Sequence, residues 1–150
     1  MIDIASTLYP AIPSDILEFD ELWSFVGSKA NRVWLWIALC RRTKQIVTYH
    51  LGSRDKEDFE KFYKKIPIQY SGCRTRSDQW KTYDKLLWGH KSCQKKYGET
   101  TQVEAFNTII RQRMARLVRR TCAFSKSEIM HEIAIRLFIY QYNIECLSVK

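Results

Sequence analysis

The chain has 150 residues, a length that suits one domain, and with 45% hydrophobic residues it can bury a sizeable core. Its formal net charge of +9 and pI near 9.4 favour a polyanionic partner, either nucleic acid or an anionic membrane surface. No stretch is long enough to span a bilayer, and the first residues lack the basic start of a secretory signal, so neither a span nor a leader is expected.

Residues 1–14 contain Pro10 and Pro13 and read as a lead or linker segment ahead of a domain at 15–150. Three extended segments follow. The first is Ile16 to Val26, rich in Phe, Trp and Val, with a turn over Gly27 to Asn31. The second, Arg32 to Cys40, is almost continuously apolar, as a strand covered on both faces would be. After the polar connection Arg41 to Lys44 comes the third, Gln45 to Leu51, closed by Gly52. Asp55 to Lys65 spaces Phe59, Phe62 and Tyr63 as a helix does, with Ser53 or Asp55 as its cap and Ile66-Pro67 as its end.

Cys73 to Asp78 is a short fourth strand. Gln79 to Trp88 reads as a short helix, and His90 to Lys96 as a fifth strand near an edge. A long helix is expected over about Thr101 to Arg120, with Val103, Phe106, Ile110, Met114 and Leu117 as its apolar stripe. A last helix, Glu128 to Ile144, is apolar around much of its circumference, and Ile129, Ile133, Leu137 and Tyr140 are expected to pack on the domain. The order predicts an α/β fold with a mixed sheet and helices on its faces.

Five cysteines, Cys40, Cys73, Cys93, Cys122 and Cys146, are widely spaced without a C-x-x-C pair. That is the pattern of reduced thiols in a cytoplasmic protein, not of a zinc ribbon. His90 and Cys93 are three apart, and a lone pair is not a site.

Three acidic residues stand out. Asp20 lies inside the run Leu17-Glu18-Phe19-Asp20-Glu21-Leu22-Trp23, where an unpaired carboxylate is costly. Asp78 ends the fourth strand and Glu104 opens the long helix. If the first and fourth strands are neighbours, these carboxylates form a set of hard oxygen donors suited to magnesium or manganese. In a basic chain that points to phosphoryl transfer on nucleic acid. Arg111, two helical turns after Glu104, can hold a phosphate, and Asn107 can hydrogen-bond a phosphate or orient a ligand. The competing readings are ordinary: Glu104 and Arg111 on a solvated helix face, and Asp78 as the cap of a helix starting at Gln79.

These motifs together resemble the transposases of the insertion sequence one family. The resemblance rests on Leu17 to Gly27, on Ser77-Asp78-Gln79-Trp80, and on Val103-Glu104-Ala105-Phe106-Asn107 with Arg111-Gln112-Arg113 and Phe124-Ser125-Lys126-Ser127 behind it. It implies a ribonuclease-H-like fold, a mixed five-stranded sheet with helices on both faces and a C-terminal helix. It implies a DDE triad of Asp20, Asp78 and Glu104 with Arg111 as basic partner. The implied cofactor is magnesium or manganese, two ions. The implied partners are the element's terminal inverted repeats and a target DNA, bound by a homo-oligomer that joins a freed 3′-hydroxyl to the target.

The sequence departs from the family pattern in two places. Position 79 is Gln where Gly is expected. Only about fourteen residues precede the first strand, where a zinc-binding segment and a helix-turn-helix are expected, as though the chain were a downstream-frame or truncated product.

Arg76, Lys81, Arg111, Arg113, Arg116 and Arg120 are candidates for DNA phosphate contacts, against the alternative of a solvated surface. A ribonuclease-H-like nuclease that does not join, and an inactive DNA-binding remnant, are the alternative functions. A Ser or Cys hydrolase has little support, because His50, His90 and His131 lie in no nucleophile motif.

Overall fold

A computed structural model of the chain describes residues 2–78, 90–92, 100–117 and 124–149. The sheet is built on strand β1 (Ile16–Val26), whose alternation sends Leu17 and Phe19 to one apolar cluster and Leu22 to the other. β2 (Ser28–Cys40) runs antiparallel to β1, and β3 (Ile46–Gly52) antiparallel to β2. β4 (Arg74–Ser77) lies parallel to the start of β1. These four strands form the body of the sheet, and β5 (His90–Ser92) adds three residues parallel to β4, giving the order β3-β2-β1-β4-β5.

β2 is covered on both sides as its apolar run predicts, and Leu35 to Cys40 are fully buried. The first turn is tighter than expected. Within it Gly27 takes a left-handed conformation (φ +76°), and β2 starts at Ser28 instead of Arg32. At the end of β3, Gly52 leaves room for the Asp58 carboxylate, which a Cβ at this position would strike.

Helices cover both faces. α1 (Lys56–Lys64) starts at Asp55, whose side chain accepts from the Asp58 amide at 2.8 Å. It buries Phe59 and Phe62 against Phe19 and Trp36. On the other face lie α2 (Thr101–Arg113) and α3 (Glu128–Ser148). The expected stripe of α2, from Val103 to Leu117, is buried throughout. The helix itself is shorter than expected: Met114 turns extended (φ −112°, ψ 104°), and a single 3-10 turn, Ala115–Leu117, follows. The positions up to Arg120 lie outside the described residues, as do the helix expected over Gln79 to Trp88 and the end of the fifth strand.

The packing face of α3 corrects the sequence reading. Ile129, Ile133 and Leu137 are 72%, 41% and 48% exposed. The inward face is His131, Ile135, Ile139 and Asn143, each of the two polar residues satisfied by named partners. Asn143 accepts from the Ile46 amide and donates to the Ile46 carbonyl and to Thr7. Those bonds hold the start of β3 and the lead segment to the helix. The lead segment itself is tied down further, since the Tyr9 amide donates to Gln45 and Arg42, which forks onto Asp15, also donates to the Pro10 carbonyl at 3.0 Å. No helix among the described residues is long and apolar enough to cross a membrane.

Candidate active site

β4 pairs with β1 only over Ile16, Leu17 and Glu18. Beyond that point β1 continues, and a cleft of about 440 Å³ opens beside Asp20. Asp78, the residue after β4, lines it, as do Glu104, Asn107, Thr108 and Arg111 from one stripe of α2. The expected convergence of the first and fourth strands therefore occurs, and it places Asp20, Asp78, Glu104, Asn107 and Arg111 around a single space.

Both carboxylate oxygens of Asp20 are held by hydrogen bonds. Its Oδ1 accepts from the Glu21 amide at 2.9 Å, and its Oδ2 accepts from Asn107 Nδ2 at 2.7 Å. Burial pushes its carboxyl up to about 7, and the nearby charges of Glu21, Asp78 and Glu104 add to the rise while the Glu21 amide opposes it. A carboxyl raised chiefly by burial and further by neighbouring acidic groups, in a cleft, is a candidate functional group.

The cleft wall opposite α2 was not read from the sequence. Arg54, just after β3, donates to the buried Glu21 carboxylate at 2.8 Å and lies 5.1 Å from the centre of the Trp34 ring. Trp34 sits on β2 and Glu21 on β1. No local motif marks these three. Only the strand register brings them together.

The donor set fits a hard divalent cation. Four carboxylates line the space, Glu21 being paired with Arg54, and the Asn107 Oδ1 atom is buried without a hydrogen-bond partner. Among the described residues, no three His, Cys, Asp or Glu side chains are gathered into a ready-made metal site. Asp20, Asp78 and Glu104 share the cleft as separate walls of it.

The basic residues divide. Arg111 is exposed and lines the cleft. Arg113 is bound within the chain, its two terminal guanidinium nitrogens donating to Glu145 at 2.8 and 2.9 Å while the group covers the Phe138 ring. Arg116 reaches Ser125 Oγ at 3.4 Å, and half-buried Arg76 donates to the Thr75 carbonyl at 2.8 Å. Lys81 and Arg120 lie outside the described residues.

Two described histidines serve the fold. His131 is buried between Ser24 (3.0 Å) and Ser125 (2.7 Å), both buried, and Ser24 spends its own hydrogen on the Val33 carbonyl at 2.6 Å. His50 sits between Asp58 and Lys65. Of the cysteines, Cys40, Cys73 and Cys146 are free thiols, and Cys93 and Cys122 lie outside the described residues.

Comparison with known proteins finds a family match and relatives over most of the chain. Residues 15–144 match the IS1 transposase family. The chain is 36% identical over 127 residues to the insertion element iso-IS1n protein InsB of Shigella dysenteriae, a match covering 85% of this chain and 95% of that protein. It is 30% identical over 136 residues to the insertion element IS1 4 protein InsB of Escherichia coli K12, covering 88% and 78%.

Proposed function

The chain belongs to the IS1 transposase family, and from that premise we propose that its cleft is a DDE active site that cuts DNA and joins it to a target. The observation that carries the reading is the meeting of Asp20, Asp78 and Glu104 with Arg111 around one space, from two parallel strands and a helix. The strand order and the helices on both faces support a ribonuclease-H-like fold, with residues 15–150 as the catalytic domain and residues 1–14 leading into it.

Asp20, Asp78 and Glu104 would hold magnesium or manganese, and Asn107 Oδ1 offers a further neutral oxygen. Two such ions, when bound, activate the attacking oxygen and stabilise the leaving one. Asp20 would bind there as the carboxylate, and Asn107 Nδ2 would keep it turned toward the cleft. Arg111 would hold a phosphate of the bound strand, which fixes the scissile bond relative to the carboxylates. In cleavage, water attacks the phosphodiester at the element end and a 3′-hydroxyl leaves. In joining, that 3′-hydroxyl attacks a target phosphodiester and displaces the target's own 3′-oxygen. One P–O bond forms as one breaks, so no external energy source is needed. Two element ends must reach one target, which calls for more than one copy of the chain in the DNA complex.

The test is metal-dependent nicking of DNA that carries an element end. Asp20→Asn, Asp78→Asn and Glu104→Gln should each abolish it while the DNA still binds. Full nicking by any of the three would remove that residue from the triad.

A further inference from the structure

We propose that Glu18 is a positioning residue for this site, an inference that rests on the reading of the cleft just given. Glu18 lies two residues before Asp20, on the same side of β1, and is fully buried. Its Oε1 accepts from the amides of Gln102 (3.0 Å) and Val103 (3.4 Å), in the first turn of α2. Its Oε2 accepts from Arg41 Nε at 3.0 Å.

A helix needs acceptors for its first amides, and the residue at the cap position normally supplies one. Here Thr100 occupies that position and makes no side-chain cap bond. Its hydroxyl is turned toward Glu104 Oε1 at 3.4 Å. The cap comes instead from the strand that carries Asp20. A buried carboxylate is an expensive way to finish a helix unless it is paired and its place matters. In this position it pins Gln102, two residues before Glu104, to Glu18, two residues before Asp20. The axial position of α2 against β1 is thereby fixed, and with it the offset of Glu104, Asn107 and Arg111 from Asp20.

The experiment uses the full chain and two variants, Glu18→Gln, which keeps an acceptor oxygen, and Glu18→Leu, which keeps volume alone. Manganese affinity is read by calorimetry, and amide exchange at Gln102 and Val103 by NMR. The wild type should protect both amides. Glu18→Leu should raise the manganese Kd about tenfold or more, the scale seen when groups that orient ligands are removed. Glu18→Gln should stay within about threefold. Adding Thr100→Asp to Glu18→Leu gives α2 a local cap, which should return thermal stability but leave the affinity low.

Wild-type affinity in Glu18→Leu, or affinity fully restored by Thr100→Asp, would overturn the positioning role and reduce Glu18 to a cap. If Glu18→Leu does not fold, the other two proteins decide: unprotected Gln102 and Val103 amides in the wild type, or a tenfold loss in Glu18→Gln, overturns it. A wild-type chain that binds no manganese would instead overturn the reading of the cleft, and this inference with it.

Discussion

Asn107 Nδ2 donates to Asp20 Oδ2 at 2.7 Å, so a residue of α2 directly holds the carboxylate that β1 presents to the cleft. Its other amide atom, Oδ1, is buried and unpartnered. Asn107→Ala should leave the fold intact and reduce joining about 10- to 100-fold, with a matching rise in the manganese concentration needed. Unchanged metal dependence would show that Asn107 does not support Asp20.

The raised pKa of Asp20, about 7 against 3.8, makes the site a burden on the metal-free fold. Between those values the folded chain holds a proton that the unfolded chain has lost, so stability falls as pH rises from about 4 to 7 and is level above. Asp20→Asn removes that loss, and Asn107 can turn its amide to accept from the new side chain. The variant should be more stable than wild type at pH 8 by roughly 1–3 kcal/mol, converge with it near pH 4, and be inactive. Thermal melts across that range give the answer. A destabilised Asp20→Asn at pH 8 would contradict the buried-carboxylate account.

His131 titrates in the opposite sense. Burial, and then the charge of Arg116, lower its pKa from 6.5. Its neutral form therefore stabilises the fold above about pH 6.5, and that stability is lost as pH falls below it. His131→Asn should flatten the acid limb of the stability curve while lowering stability at pH 8, since Ser24 and Ser125 lose their bridge. An acid limb identical to wild type would assign the loss to other groups.

Arg111 and Arg113 are two positions apart and should behave differently on DNA. Arg111→Ala should weaken binding and lower the salt slope by about one, as loss of one phosphate contact does. Arg113→Ala should leave that slope unchanged and instead loosen the tie between α2 and α3, because its guanidinium is held by Glu145. Filter binding across a salt series separates them. Equal slopes for the two variants would place Arg113 on the DNA as well.

Much of the site was legible because it follows from strand order. Asp20 and Asp78 meet once β1 and β4 are parallel neighbours, and helical spacing places Glu104, Asn107 and Arg111 on one stripe. The inward face of α3 was not legible. Hydropathy favours Ile129, Ile133 and Leu137, whereas the true face carries His131 and Asn143, whose partners Ser24 and Ile46 come from distant segments, while Ser125 lies just ahead of the helix. The end of α2 at Arg113 was hidden too, since no Gly or Pro marks Met114. Glu18 left one signal: alternation puts it on the same side as Asp20, so a second carboxylate there also needed partners. Which amides supply them depends on the docking of a helix more than eighty residues away.

The most direct measurement is strand joining. The purified chain is incubated with magnesium or manganese, a labelled DNA end bearing a free 3′-hydroxyl, and a target duplex, with Asp78→Ala in parallel. A joined product that requires the metal and disappears in the variant is expected. Cleavage without joining, or a joined product that survives Asp78→Ala, would contradict it.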